Sequence, residues 1–274
     1  MKKYLNPKIL PIVVTVLGMV GFLLRLWTMQ GGPDPEQGLY PVATLAWTLL
    51  WIVTAITGAA IIFLTRPLGE PVKYNQNFPG SLLAAVGSLV AAVIMVLGGV
   101  QSFNGQDTVS FITGLLGLIG GLGMGLVAYT RMKGTKPNFF AHGVVCLYLA
   151  LRTFNECKLW SNEPQLGLFI FTFLSQICAM LAAYQLCAFD VDLGKRRASL
   201  FWSLMAVYLC LVALPSTEDL PFTCGLAVWL LTNLCSLQPV KKRRAPKRVE
   251  PEVQATLDGS DVSMDELKSW LEEE

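Results

Sequence analysis

VSFITGLLGLIGGLGMGLVAYT, residues 109–130, runs for 22 residues without a charged side chain. Wound as a helix at ~1.5 Å per residue, a stretch of that length covers the ~30 Å hydrocarbon layer of a bilayer. It is also rich in glycine, which weakens a helix in water. In a membrane, small residues four apart let two helix backbones approach closely. Gly117, Gly121 and Gly125 have that spacing and are expected on a helix-packing face. The segment reads as a membrane-spanning helix, so the rest of the chain has to be read with lipid as its solvent.

Seven further segments fit the same description: 9–29, 41–64, 81–101, 139–160, 166–188, 199–214 and 221–237. The seventh span in chain order is short, and the fifth carries Arg152 and Glu156 near its far end. No alternation of period two suggests a barrel. The expected fold is therefore all-α, a polytopic transmembrane bundle of about eight spans over residues 1–237, followed by a cytoplasmic tail, 238–274. Composition points the same way. The chain has 274 residues, 53% of them hydrophobic and 15% charged, with mean hydropathy +0.52. A soluble domain carries about 25% charged residues, so an ordinary soluble, fibrous or disordered chain is excluded.

The charges are ordered along the sequence. With the N-terminus in the cytoplasm, the inner segments hold 17 Lys and Arg residues and the outer loops hold Lys158 alone. That asymmetry satisfies the positive-inside rule at every loop. It places both termini in the cytoplasm and the protein in the cell membrane. The first segment follows the basic start MKKYLNPK but has no A-x-A site after it, so it reads as an anchor rather than a cleaved signal peptide. The seven cysteines lie between Cys146 and Cys235. Most fall in apolar segments as small fillers. Only Cys157 and Cys224 lie near the outer face, where a disulfide can persist, and no CxxC is present to suggest zinc.

Two halves of the chain run in similar order. Leu24-Arg25-Leu26 precedes a loop with Pro35-Glu36-Gln37-Gly38. Leu151-Arg152-Thr153 precedes one with Glu163-Pro164-Gln165-Leu166-Gly167. Ser81-Leu82 and Ser199-Leu200 open the third and seventh segments. Such an order fits a parallel four-plus-four repeat of the kind transporters use. It equally fits coincidence in a restricted alphabet.

Ionisable residues inside a span are costly and are the first candidates for function. Arg25, Arg152 and Glu156 are the candidates for a ligand site. Arg152 and Glu156 are spaced i,i+4 and can pair on one helix face. The two arginines can equally pair with outer acids: Asp34, Glu36, Asp107, Glu163, Glu218 and Asp219. Gln176, Thr172, Ser175 and Asn233 are the polar groups nearest the middle and are expected as interhelical hydrogen-bond partners. The only histidine, His142, has no carboxylate near it in sequence, and no GxSxG, HExxH or P-loop occurs. Asp190 and Asp192 form an Asp-x-Asp pair that either holds Mg²⁺ with a phosphate or balances charge at a helix end. No catalytic residue, metal site or cofactor is assigned.

Beyond the last span, KKRRAPKR (241–248) is expected to bind anionic lipid at the bilayer surface rather than nucleic acid. The final stretch, VSMDELKSWLEEE, opens with a Ser263/Glu266 capping box. It aligns Met264, Leu267, Trp270 and Leu271 on one apolar stripe. A helix so short needs a groove to dock in, on a cytoplasmic protein partner or on the chain's own basic loops.

The Arg25–Tyr40 stretch, the Arg152–Phe169 stretch and the basic loop Gly194-Lys195-Arg196-Arg197 before an apolar helix carry a resemblance. In these the chain resembles uncharacterised multi-pass membrane proteins found in clostridial genomes, which often end in a short acidic tail. The resemblance implies a bacterial inner membrane and no known activity, substrate or cofactor. Three function classes stand. They are a non-enzymatic scaffold or accessory/sensor subunit, a permease for a small neutral or anionic solute, and, on Asp190/Asp192 alone, an enzyme.

Overall fold

Long runs without charge or internal proline have one way to satisfy their backbone groups away from water, which is to coil into helices. A computed structural model describes residues 9–30, 44–66, 73–105, 107–161, 166–217 and 219–238, and the described residues hold no strand. The helices are α1 (Ile9–Met29), α2 (Leu45–Thr65), the single turn α3 (Tyr74–Asn77), α4 (Leu82–Ser102), α5 (Thr108–Lys133), α6 (Phe139–Trp160), α7 (Leu166–Asp190), α8 (Arg196–Ala213) and α9 (Leu220–Cys235). A 3-10 turn, Leu214–Ser216, prolongs α8. Apart from α3, the helices occupy the eight apolar segments, and their ends differ from the sequence boundaries by no more than four residues.

Local chemistry sets those ends. Thr44, Ser81, Asn138 and Asp219 sit at N-caps, and their side chains accept from the backbone N–H groups of Trp47, Ala84, Phe140 and Phe222. Gly134 stops α5 in the left-handed conformation, φ 68°, with its N–H donating to the Thr130 carbonyl.

Six helices are long and apolar enough to cross a membrane: Ile9–Met29, Leu45–Thr65, Leu82–Ser102, Thr108–Lys133, Gly167–Asp190 and Arg196–Ser216. Their outward faces expose Ile, Leu, Val and Phe from end to end, including Ile12, Leu23, Phe63, Val93 and Leu122. A continuous apolar surface of that extent suits lipid and would aggregate in water.

Each of α4 to α8 packs on its successor, and α9 closes the circuit by packing on both α8 and α4; α1 lies along α8, with α2 against both. The tightest contact joins α4 and α5. A Cβ at Gly117 would lie 2.7 Å from Gly99 Cα, and one at Gly121 would lie 2.9 Å from the Ala92 carbonyl oxygen. Gly125 meets nothing within 4 Å, and Gly114 extends the contact instead, against Gly99 and Phe103. The helix-packing face is thus shifted one turn toward the N-terminus of α5 from the sequence motif.

The two halves do not pack alike. A duplication would match α2–α4 to α7–α8, yet α7 and α8 pack along each other and α2 and α4 do not. Gly225, the counterpart of Gly114, packs on Ile94 of α4 rather than on α8.

Candidate functional site

Charged side chains cluster at both ends of the bundle. At one end, α6 turns Arg152 inward, 9% exposed, against α9 and α4. Its Nε donates to Glu156 Oε1 at 2.8 Å, its Nη2 to Asp219 Oδ2 at 2.7 Å and its Nη1 to the Tyr148 hydroxyl at 3.2 Å. The guanidinium lies 3.7 Å from the centre of the Phe222 ring, a cation–π contact. Glu156 spends its second oxygen, Oε2, on Gln176 Nε2 at 2.6 Å, which ties in α7. Gln176 in turn accepts from Thr153.

The i,i+4 spacing makes the first of these bonds, and the N-cap role of Asp219 fixes the second, since Asp219 Oδ1 accepts from Phe222 N–H. Gly98 of α4 makes room for the group. A Cβ there would lie 2.4 Å from the Tyr148 hydroxyl and 2.6 Å from Arg152 Nη1. An arginine with every nitrogen engaged, two of them in short bonds to carboxylates, is a fastener between helices. Gly98 and Phe222 escape sequence reading because they come from segments far from Arg152, whereas Tyr148 lies at the same i,i+4 spacing on α6 that marks Glu156 and was legible in principle.

Arg25 stands apart from this group. It is fully buried, its Nη2 donates to the Leu168 carbonyl at 2.7 Å, and its Nε and Nη1 have no hydrogen-bond partner among the described residues. Trp47 and Phe171 face the guanidinium at 5.1 and 5.6 Å. No described hydrogen bond or ion pair joins Arg25 to Arg152 or Glu156, so the three candidate ligand residues form two separate places. Asp107, the remaining described outer acid, pairs with Lys158 at 2.7 Å on the exposed surface.

At the other end lies a second buried cluster that the sequence reading did not assemble. Arg131, at the end of α5, is buried under Phe78 and Tyr74, with ring centres 4.2 and 5.4 Å away, and donates to Asn233 Oδ1 of α9 at 2.7 Å. Burial pushes the Tyr74 phenol up to about 12. Arg196 reaches Asn77 Oδ1 and the Gln238 carbonyl, pinning the start of α8 to α3 and to the end of α9.

His142 does have a carboxylate. Asp190, 48 residues away, brings Oδ2 within 2.6 Å of its Nδ1, and both side chains are buried. The correction has a simple cause, because α7 antiparallel to α6 carries Asp190 to the level of His142. The Asp-x-Asp pair is divided by the same fold. Asp190 points into the bundle, while Asp192 sits at φ 60°, accepts from Tyr74 N–H at 2.9 Å and pairs with Lys136 at 2.7 Å. Those two bonds hold the Asp192 carboxyl below its usual range. The two carboxylates do not share a ligand, and no cluster of His, Cys, Asp and Glu among the described residues could hold a metal. All seven cysteines are free, Cys157 and Cys224 included.

Between the clusters the interior is packed and apolar. Val145 and Leu149 on α6, Ala179, Ala182 and Ala183 on α7, and Leu226 and Leu230 on α9 are all essentially unexposed. Residues 241–248 and the Met264, Leu267, Trp270, Leu271 stripe lie outside the described residues. The chain matches no protein-family model, no curated protein and no solved structure. What it does has to be argued from its own geometry.

Proposed function

We propose that this chain is an eight-span protein of a bacterial cytoplasmic membrane, with both termini in the cytoplasm, and that it serves as a non-enzymatic scaffold or accessory subunit. Two helices have to be added to the six apolar ones for that topology. α6 is 22 residues long, and its low hydropathy comes from polar residues that include Arg152 and Glu156, which pair with one another while Arg152 also pairs with Asp219. α9 has 16 residues and continues through buried Ser236 and Leu237. The cytoplasmic side is then the end bearing Arg66, Lys133, Lys136, Lys195 and Arg197.

The observation that carries the scaffold reading is that each nitrogen of Arg152 already has a protein partner. The Arg152 ion network is spent on joining α6, α7 and α9, and an apolar layer of these helices lies beneath it. Glycines that could have built a dimer face are used between α4 and α5. The four-plus-four duplication forms no part of this proposal, given the unlike packing of the halves. Affinity purification in mild detergent tests the reading, comparing the full chain with one ending at Asp261. A stoichiometric protein partner lost with the tail supports an accessory role that uses the 264–271 stripe. Partner-free material from both chains counts against it.

Arg25 favours the permease as a second reading. A buried guanidinium beneath two aromatic rings, with two nitrogens unpartnered among the described residues, has the means to hold an anion. Uptake of a small anion by proteoliposomes, lost in Arg25→Gln and kept in Arg152→Lys, would establish it over the scaffold.

A further inference from the structure

The basic run Lys195-Arg196-Arg197 is split by the fold. Arg196 turns inward to Asn77 and Gln238, whereas Lys195 and Arg197 are exposed, and neither makes an ion pair or side-chain hydrogen bond among the described residues. These two unpaired cations border a cavity of about 490 Å³ between the end of α2 and the start of α8. Its remaining walls include Ile62 and Thr65 from α2 and Phe201 and Trp202 from α8.

We propose that this cavity binds the headgroup phosphate of an anionic phospholipid, with the adjoining acyl chain lying along Ile62, Phe201 and Trp202. The cations supply the charge match, because compact phosphate oxygens suit both the ammonium and the guanidinium fork. Their nearest acid in sequence, Asp192, is already engaged by Lys136. The start of α8 adds its positive end, and Lys195, the N-cap, offers no side-chain acceptor to its first turn. The carbonyl end of α2 opposes this, but two full charges outweigh opposed half-charges.

The walls select lipid over a free anion. Ile62 is 46% and its neighbour Phe63 69% exposed, so the cavity opens onto the surface that faces acyl chains. Inorganic phosphate gains nothing from such a wall. The site also lies where the apolar run of α8 begins, which is the depth of a headgroup. Basic pockets between spans at this level suit anionic headgroups, and indole rings prefer the same boundary. This inference needs the membrane setting alone and is independent of the scaffold proposal.

The test uses the full chain, delipidated in detergent, with its 241–248 lysines and arginines changed to Gln so that the tail does not compete. Native mass spectrometry then counts adducts of phosphatidylglycerol and phosphatidylcholine. Phosphatidylglycerol should bind in preference, and Lys195→Gln/Arg197→Gln should weaken it about 30-fold, from ~1 kcal/mol per cation near the surface. Because both residues are exposed, the unfolding midpoint in neutral lipid should not move. Trp202→Ala should also weaken binding while leaving the charge untouched. Unchanged phosphatidylglycerol affinity in the double variant would overturn the proposal. So would equal binding of phosphatidylcholine, or displacement of the lipid by millimolar inorganic phosphate, which would make this a free-anion site.

Discussion

Replacing Arg152 with Met keeps a long apolar stem and removes the cation with all three of its donating nitrogens. Glu156, with an 18% exposed side chain, then retains Gln176 as its only partner, and Asp219, 26% exposed, loses its ion pair. Breaking one member out of a buried ion pair costs ~3–5 kcal/mol, because a charge is left desolvated and uncompensated. Solvent reaches about a quarter of Asp219, so part of that penalty is screened, and we expect a loss near the lower bound, ~3 kcal/mol. The triple change Arg152→Met/Glu156→Gln/Asp219→Asn removes the stranded charges and should recover more than half of the loss. Arg152→Lys should fall between parent and Met, since one ammonium cannot serve three partners and stack on Phe222 as well. Equilibrium unfolding in mixed micelles reads all three. If Arg152→Met unfolds within ~1 kcal/mol of the parent, or the triple variant is no better than the single one, the network is not the fastener described above.

Gly117→Ala should destabilise by ~1–3 kcal/mol, because its Cβ meets Gly99 backbone that cannot move aside. Gly125→Ala, with nothing within 4 Å, should be neutral or stabilising by up to ~1 kcal/mol, and equal effects in the same unfolding assay would refute the shifted packing face. The folded Asp192 carboxyl is held below its ordinary value by Lys136 and Tyr74 N–H. Its contribution to stability is therefore complete above the ordinary carboxylate range and is lost as pH falls through the lowered folded value. Unfolding midpoints of the parent and Asp192→Asn should differ at neutral pH and converge in acid, Asn being chosen because it tolerates the left-handed φ; parallel curves would show that the bonds contribute nothing.

The helices were legible because lipid imposes a simple code, length and apolarity, that each segment carries within itself. Even the short α8 and the charged α6 were placed to within a few residues. What escaped was everything that depends on which segments meet. Arg131 and Arg196 read as charges that orient loops, yet both are buried, and their partners Phe78, Asn233 and Asn77 lie 53, 102 and 119 residues away. The turn α3, only four residues long, has no periodicity to betray it. Asp219 was one acid among several until α9 brought it to Arg152, and His142 appeared solitary because Asp190 arrives from the far end of the next helix. Arg152–Glu156 was the exception because both members sit on one helix, where spacing alone fixes the pair.

The distribution of buried charge bears on where function can reside. Ten residues of α6 separate His142 from Arg152, a distance of ~15 Å along the axis. Buried Val145 and Leu149 fill that interval, with α7 alanines and α9 leucines packed at the same depth. Each polar cluster is fastened near one end of the bundle, where water and headgroups lower the cost of a charge, and the middle is left to dispersion and close packing. The α6, α7 and α9 side has its helix register fixed from both ends and little polar surface at the centre, and Thr54 and Tyr208, polar groups at mid-depth on the other side, are bonded to each other. Chemistry open to partners is therefore concentrated at the rims. Of the cations there, Arg152 bonds through all three nitrogens, and Arg131 and Arg196 are buried and tied to Asn233 and to Asn77 and Gln238. Lys195 and Arg197 are unpaired among the described residues, and they stand beside a cavity with largely apolar walls, which is why the membrane's own anionic lipid is the occupant to test first.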